Sequence, residues 1–234
     1  MSSLSPAMAS NLITNAENRR DARRLSSCSW RMQLPDRFLA ALALCMFSPL
    51  LAVVALAVLL GSGWPVLFRQ ARVGQRGKAF QLLKFRTMRN GKRGPSITAR
   101  GDSRITGVGR FLRKFKLDEL PQLWNVVRGE MGLVGPRPEV PEFVDMNNPV
   151  WRSVLEVRPG ITDPASIAFR NEEEILAKAA DPIALYESSL LPAKLALNLA
   201  YLEKKCFWLD IKVIFLTARC AIFPGRQDTK GIGV

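Results

Sequence analysis

The sequence predicts an α+β fold, mainly helical, held at a membrane by a re-entrant helix broken at Ser48-Pro49, with a small β-hairpin and interfacial amphipathic helices. Three observations lead there. A long uncharged apolar run lies near the N-terminus. Two apolar segments flank a glycine-containing turn just after it. The remainder mixes apolar and charged residues at helical spacing, punctuated by proline and glycine. The boundaries that follow are a flexible tail over residues 1–33, the membrane helix over 34–63, a cytosolic and interfacial domain over 64–223, and a C-terminal tail over 224–234.

The first thirty residues are rich in Ser, Asn, Ala and Arg without apolar periodicity, as expected of a tail that touches anionic headgroups. Residues 38–60 then carry no charge. At about 1.5 Å per residue they reach roughly 35 Å, enough to cross a bilayer core of about 30 Å. Two features favour a hairpin over a span. Pro49 cannot donate to the carbonyl of Cys45, and a kink there makes two legs of about 15 Å each. Arginines also flank the run on both sides, including Arg31 and Arg37 before it and Arg69 and Arg72 after it. Cytoplasmic loops are the basic ones, so both ends are placed in the cytoplasm. The competing arrangement is a single kinked span, which membrane helices tolerate. Ser48 is the nearest partner for the freed carbonyl of Cys45.

Val66-Leu67-Phe68 and Phe80-Gln81-Leu82-Leu83 flank Gly74 and Gly77, the pattern of a β-hairpin. Residues 90–103 read as a mobile loop. Residues 105–116 mix apolar and basic side chains at helical spacing. A second helix starts at Asp118 or Glu119, with Pro121 in its first turn and Leu123, Val126 and Val127 on its buried face, and ends at Gly129 to Gly132. Gly135-Pro136-Arg137-Pro138 is extended and stiff, because a residue before proline avoids helix. Arg158-Pro159-Gly160 marks a turn. Residues 172–180 and 183–205 read as helical, and 206–223 as a helix lying in the membrane interface or, equally ordinary, as an amphipathic packing helix.

The charge is uneven. Of a formal net +14, the stretch from Arg69 to Lys116 holds 15 Lys and Arg against one acid, Asp102. Such a block meets phosphates: nucleotide, anionic lipid or nucleic acid. There is no histidine, which excludes histidine general bases, histidine-ligated metals and Ser-His-Asp triads. The four cysteines show no metal-binding spacing and are expected to be small buried residues.

Asp118-Glu119 follows the basic block directly. Adjacent carboxylates at a helix start can share a hard cation such as Mg²⁺, which commonly bridges to substrate phosphates. A carboxylate can also act as a nucleophile and form an acyl phosphate. First-turn acids equally serve only to complement the helix dipole. Arg137 between its prolines reads equally as a surface arginine, and the basic stretch as a lipid tether.

The order of these segments resembles the monotopic polyprenyl-phosphate phosphoglycosyltransferases, the bacterial sugar transferases, in their minimal catalytic form. The matching pieces are Arg37-Phe38 into the run with Ser48-Pro49, Phe68-Arg69-Gln70-Ala71-Arg72-Val73-Gly74, Lys84-Phe85-Arg86-Thr87-Met88, and Leu117-Asp118-Glu119-Leu120-Pro121-Gln122. Gly132 to Pro138 and Arg158-Pro159-Gly160-Ile161-Thr162 complete the set, which covers residues 34–223. The resemblance implies transfer of a phospho-sugar from a UDP-sugar to undecaprenyl phosphate with release of UMP, at the cytoplasmic face of a bacterial inner membrane, starting a surface glycan. It implies Asp118 as nucleophile and Glu119 as its partner toward Mg²⁺ or a proton. It implies Arg113, Lys84 and Arg86 as phosphate contacts, and Pro136, Arg137 and Pro138 as the nucleotide-binding element. Partners are then the two substrates and inner-membrane lipids, without nucleic acid. The oligomeric state is open, a homodimer being compatible. One departure falls after Thr162, where many relatives continue with Gly and then Ala-Gln and this chain has Asp163-Pro164-Ala165-Ser166. The contrasting hypothesis is a non-catalytic basic membrane adaptor for anionic lipid or nucleic acid.

Overall fold

The computed structural model describes residues 33–89 and 102–223. The expected tails and most of the loop at 90–103 lie outside them. Helix α1 runs over Gln33–Ser62 and is long and apolar enough to cross a membrane. Its helical geometry continues through Pro49. The carbonyl of Cys45, which proline leaves without its usual donor, accepts from Ser48 Oγ at 2.8 Å, as the sequence predicts.

Both ends of this unbroken helix pack on the same body. Near its start, Asp36 accepts from the Leu133 N–H at 3.4 Å, Arg37 donates to the Arg128 carbonyl at 3.2 Å, and Ala40 is buried among Leu82, Leu123, Val126 and Met131. Near its end, Val54 and Val58 are buried against Phe85 and Leu112. Between them Cys45, Met46, Ser48, Pro49 and Leu50 are exposed.

Strands β1 (Leu67–Val73) and β2 (Ala79–Phe85) form the expected antiparallel hairpin, longer than the apolar segments alone indicate. Helix α2 (Gly107–Lys114) is capped by Thr106, whose side chain accepts from the Gly109 N–H. A 3-10 turn over Leu117–Glu119 leads to α3 (Gln122–Arg128). The second helix therefore starts later than Asp118, because Lys116 takes a left-handed conformation (φ 57°) that turns the chain first. Gly129 closes α3 at φ 79°, where a side chain would be strained. Gly132 does not end a helix. It opens β3 (Gly132–Val134), which pairs in parallel with β4 (Gly160–Thr162), so the expected turn at Gly160 is the start of a strand.

Helix α4 (Pro149–Leu155) and the short α5 (Pro164–Ala168) and α6 (Glu172–Leu176) carry proline or acidic starts. The run expected from 183 to 205 is helical but irregular. It comprises α7 (Pro182–Leu185), a π-turn over Tyr186–Leu190, and α8 (Leu191–Lys204). Helix α9 (Phe207–Ile222) buries Asp210, Val213 and Leu216 and exposes Phe207, Trp208, Ile211 and Phe215.

The main core joins α4, α6, the π-turn and α8 through Val150, Trp151, Leu176, Tyr186 and Leu195. A second cluster seats α8 and α9 on β3 through Tyr201, Leu202, Val213 and Leu216. The cysteine expectation needs correction. Cys45 and Cys206 are exposed and Cys220 is half-buried, because α1 and α9, which carry or adjoin them, leave apolar faces uncovered by protein; Cys28 lies outside the described residues.

Candidate active site

Asp118 and Glu119 are buried in the turn between α2 and α3, Asp118 at 6% and Glu119 at 9% exposure. The left-handed Lys116 just before them re-aims the chain at this point. Non-glycine residues in that conformation concentrate at functional sites.

Glu119 is the hub of a cation cluster assembled from three elements. Arg137, in the stiff segment after β3, grips it as a fork: one guanidinium nitrogen lies 2.5 Å from Oε1 and the other 3.3 Å from Oε2. Lys84, near the end of β2, donates to Oε1 at 3.3 Å. Burial opposes the charged form of Glu119, but Arg137 and Lys84 outweigh it and hold the carboxyl well below its usual range. The Glu119 charge in turn raises the pKa of Arg137, so that guanidinium is permanently charged. Burial pushes Lys84 down to about 8.

Asp118 behaves differently. Burial, and next the charge of Glu119, push its carboxyl up from the ordinary value. Its Oδ1 is buried without a hydrogen-bond partner among the described residues. The two neighbouring acids are thus separated in role: Glu119 is ionised and satisfied, and Asp118 is more basic and partly unsatisfied.

Arg113, from the last turn of α2, is oriented from two sides. Its Nε donates to Thr87 Oγ1 at 3.0 Å and its Nη1 to Glu173 Oε1 at 2.9 Å. The Arg137 segment is fixed through its backbone and prolines. The Arg137 N–H donates to Asp163 Oδ2 at 2.8 Å, the Pro136 carbonyl accepts from Gly160, and the Pro138 carbonyl accepts from Arg72. Asp163 is fully buried, and its other oxygen caps α5 at Ser166.

The structure therefore brings Asp118, Glu119, Lys84 and Arg137 together, with Arg113 within electrostatic reach of Asp118. Pro136 and Pro138 are buried on either side of Arg137. Arg86 is used elsewhere: its guanidinium donates to the carbonyls of Trp64, Ser62 and Gly63 and so holds the exit of α1. Thr87, Asp163 and Glu173 escaped the sequence reading. Asp163 had a signal, as the departure after Thr162. Glu173 had none, since its partner lies sixty residues away.

Comparison with known proteins bears directly on this geometry. The family described as bacterial sugar transferase matches residues 29–224. A UDP-glucose:undecaprenyl-phosphate glucose-1-phosphate transferase of Caulobacter vibrioides is 38% identical over 193 residues, covering 80% of this chain and 68% of the relative. A protein of the same name in Escherichia coli is 38% identical over 192 residues, covering 78% of this chain and 38% of the relative. A UDP-N-acetylgalactosamine-undecaprenyl-phosphate N-acetylgalactosaminephosphotransferase of Aeromonas hydrophila is 35% identical over 189 residues, covering 79% of this chain and 42% of the relative. The chain thus spans well under half the length of the last two.

Proposed function

The chain belongs to the bacterial sugar transferase family, and from that membership we propose that it moves a sugar-1-phosphate from a UDP-sugar to undecaprenyl phosphate, releasing UMP. The observation that carries this reading is the buried Asp118-Glu119 pair facing Lys84 and Arg137. An anionic diphosphate needs fixed cations, and a phosphoryl transfer needs an oxygen nucleophile held in line.

An Asp118 carboxylate oxygen attacks the phosphorus that bears the sugar. The P–O bond to UMP breaks, and UMP leaves with the electron pair. The lipid phosphate oxygen then attacks the same phosphorus, the Asp118–phosphorus bond breaks, and the carboxylate is restored. The raised pKa of Asp118 suits a basic, reactive nucleophile once it is ionised. Lys84, Arg113 and Arg137 hold the diphosphate and the nucleotide. Glu119 stays ionised and keeps Arg137 and Lys84 in register.

Two adjacent buried carboxylates fit Mg²⁺, which binds through one or two carboxylates together with substrate phosphates. When bound, the ion would neutralise charge on the diphosphate during transfer.

The membrane reading follows from α1. Both of its ends are tied to one body, and exposed apolar residues run along its length from Phe38 to Leu60. This supports a re-entrant, monotopic insertion from the cytoplasmic face of the inner membrane, with the site at the level of lipid phosphates. The product would begin a surface glycan such as an exopolysaccharide, capsule, O-antigen or protein-linked glycan. Its relatives differ in the sugar of their names, so the donor is left to experiment.

The test is UMP release from a panel of UDP-sugars with undecaprenyl phosphate and Mg²⁺. Release that requires the lipid and is abolished by Asp118→Asn is the expected result. Full activity in folded, membrane-bound Asp118→Asn protein would overturn the mechanism.

A further inference from the structure

Two buried carboxamides on α3 differ in a way the fold does not require. Gln122 and Asn125 are each 1% exposed. Asn125 is fully engaged. Its Oδ1 accepts from the Leu83 N–H at 3.1 Å, and its Nδ2 donates to the Gln81 carbonyl at 2.8 Å and to Glu130 Oε2 at 2.7 Å. Gln122 Nε2 is buried and has no hydrogen-bond partner among the described residues. Few native polar groups are left this way, and those that are call for a ligand or a functional state that pairs them.

The acceptor that matches it is nearby in the chain. Asp118 Oδ1 is likewise buried and unpartnered. Between the two, Leu120 (φ −53°, ψ −36°) and Pro121 (φ −61°, ψ −17°) are right-handed helical. Four residues of helical backbone, about one turn, separate them, and both side chains are buried. One orphan is a donor and the other an acceptor.

We propose that Gln122 is a further residue of the catalytic centre, whose carboxamide N–H pairs with Asp118 Oδ1 once the other Asp118 oxygen carries the phospho-sugar. This rests on the covalent reading given above. When one carboxylate oxygen bonds to phosphorus and UMP departs with its electron pair, the other becomes the carbonyl oxygen of a mixed anhydride. That oxygen gains a fixed acceptor role and needs one donor. A neutral carboxamide serves it without adding charge beside Glu119. When the lipid phosphate takes the phosphoryl group, the carboxylate re-forms and the contact relaxes.

The experiment compares wild type with Gln122→Met, which keeps the side-chain length and lacks the donor. Three quantities are read for each protein in detergent: melting temperature, kcat and KM for the UDP-sugar, and the phospho-sugar adduct formed with donor alone, by intact-protein mass. Removing an unpaired donor does not weaken the fold, so melting stays level or rises. The expected result is a loss in kcat of about tenfold to a hundredfold, with KM within about threefold, and a matching loss of adduct. Wild-type kcat and adduct in Gln122→Met would overturn the inference, as would melting that falls in step with activity, which marks a structural role. Absence of adduct from wild type under active conditions would instead bring down the covalent reading, and this inference with it.

Discussion

Lys84 is buried beside Glu119, and burial brings its ammonium down to about 8 from an ordinary 10.5. The sign of its effect differs for stability and for activity. Between those two values the unfolded chain binds more protons than the folded one, so the Lys84 contribution to stability rises with pH across that window. The cation available to a substrate phosphate is lost as pH rises through about 8. Turnover is therefore expected to fall on an alkaline limb centred near pH 8, and Lys84→Arg is expected to move that limb upward, since arginine stays charged. A pH–rate profile of both proteins at saturating Mg²⁺ checks this. An unmoved limb would assign it to another group. At this scale the sequence was informative where partners are local. Asp118-Glu119 stood out through its position after the basic block. Asp163 and Glu173 did not, because what they hold, the Arg137 backbone and the Arg113 guanidinium, is distant in the chain.

The hairpin and α3 form the element that presents Lys84 to Glu119. Asn125 makes the joint, replacing the strand partner that the outer edge of β2 lacks at Gln81 and Leu83. Asn125→Leu leaves the partly buried Gln81 carbonyl and Leu83 N–H without it and is expected to cost about 1–3 kcal/mol of stability, read as a shift in the denaturation midpoint. Unlike Gln122→Met, it should lower stability and activity together. The hairpin was legible because alternating apolar segments and glycines are local signals. The parallel pair of β3 and β4 was not, since three-residue strands carry no periodicity. They exist only because Gly135 and Gly160 let two backbones approach where a Cβ would meet main-chain atoms.

Among the described residues, exposed apolar side chains run along α1 from Phe38 to Leu60 and over the outer face of α9 with Phe207, Trp208 and Phe215. An apolar surface of this kind fits the membrane association proposed above. Binding to liposomes is therefore expected to survive molar salt and to persist on zwitterionic lipid, whereas a purely electrostatic adaptor would be released. Cysteine labelling completes the test. Positions before Arg37 and after Ser62 should both react from the cytoplasmic side only, and periplasmic labelling of either would refute the re-entrant arrangement.

By itself the sequence determined the apolar helix with its proline, the basic block, the absence of histidine chemistry and the order of motifs, because each is a property of neighbouring residues or of composition. The tertiary structure alone decided that Arg137 and Lys84 converge on Glu119, that Arg86 holds a helix end, and that Asp118 and Glu119 diverge in acidity. Those outcomes depend on burial and on distances between residues far apart in the chain. Sequence spacing carries no information about either until the elements have packed.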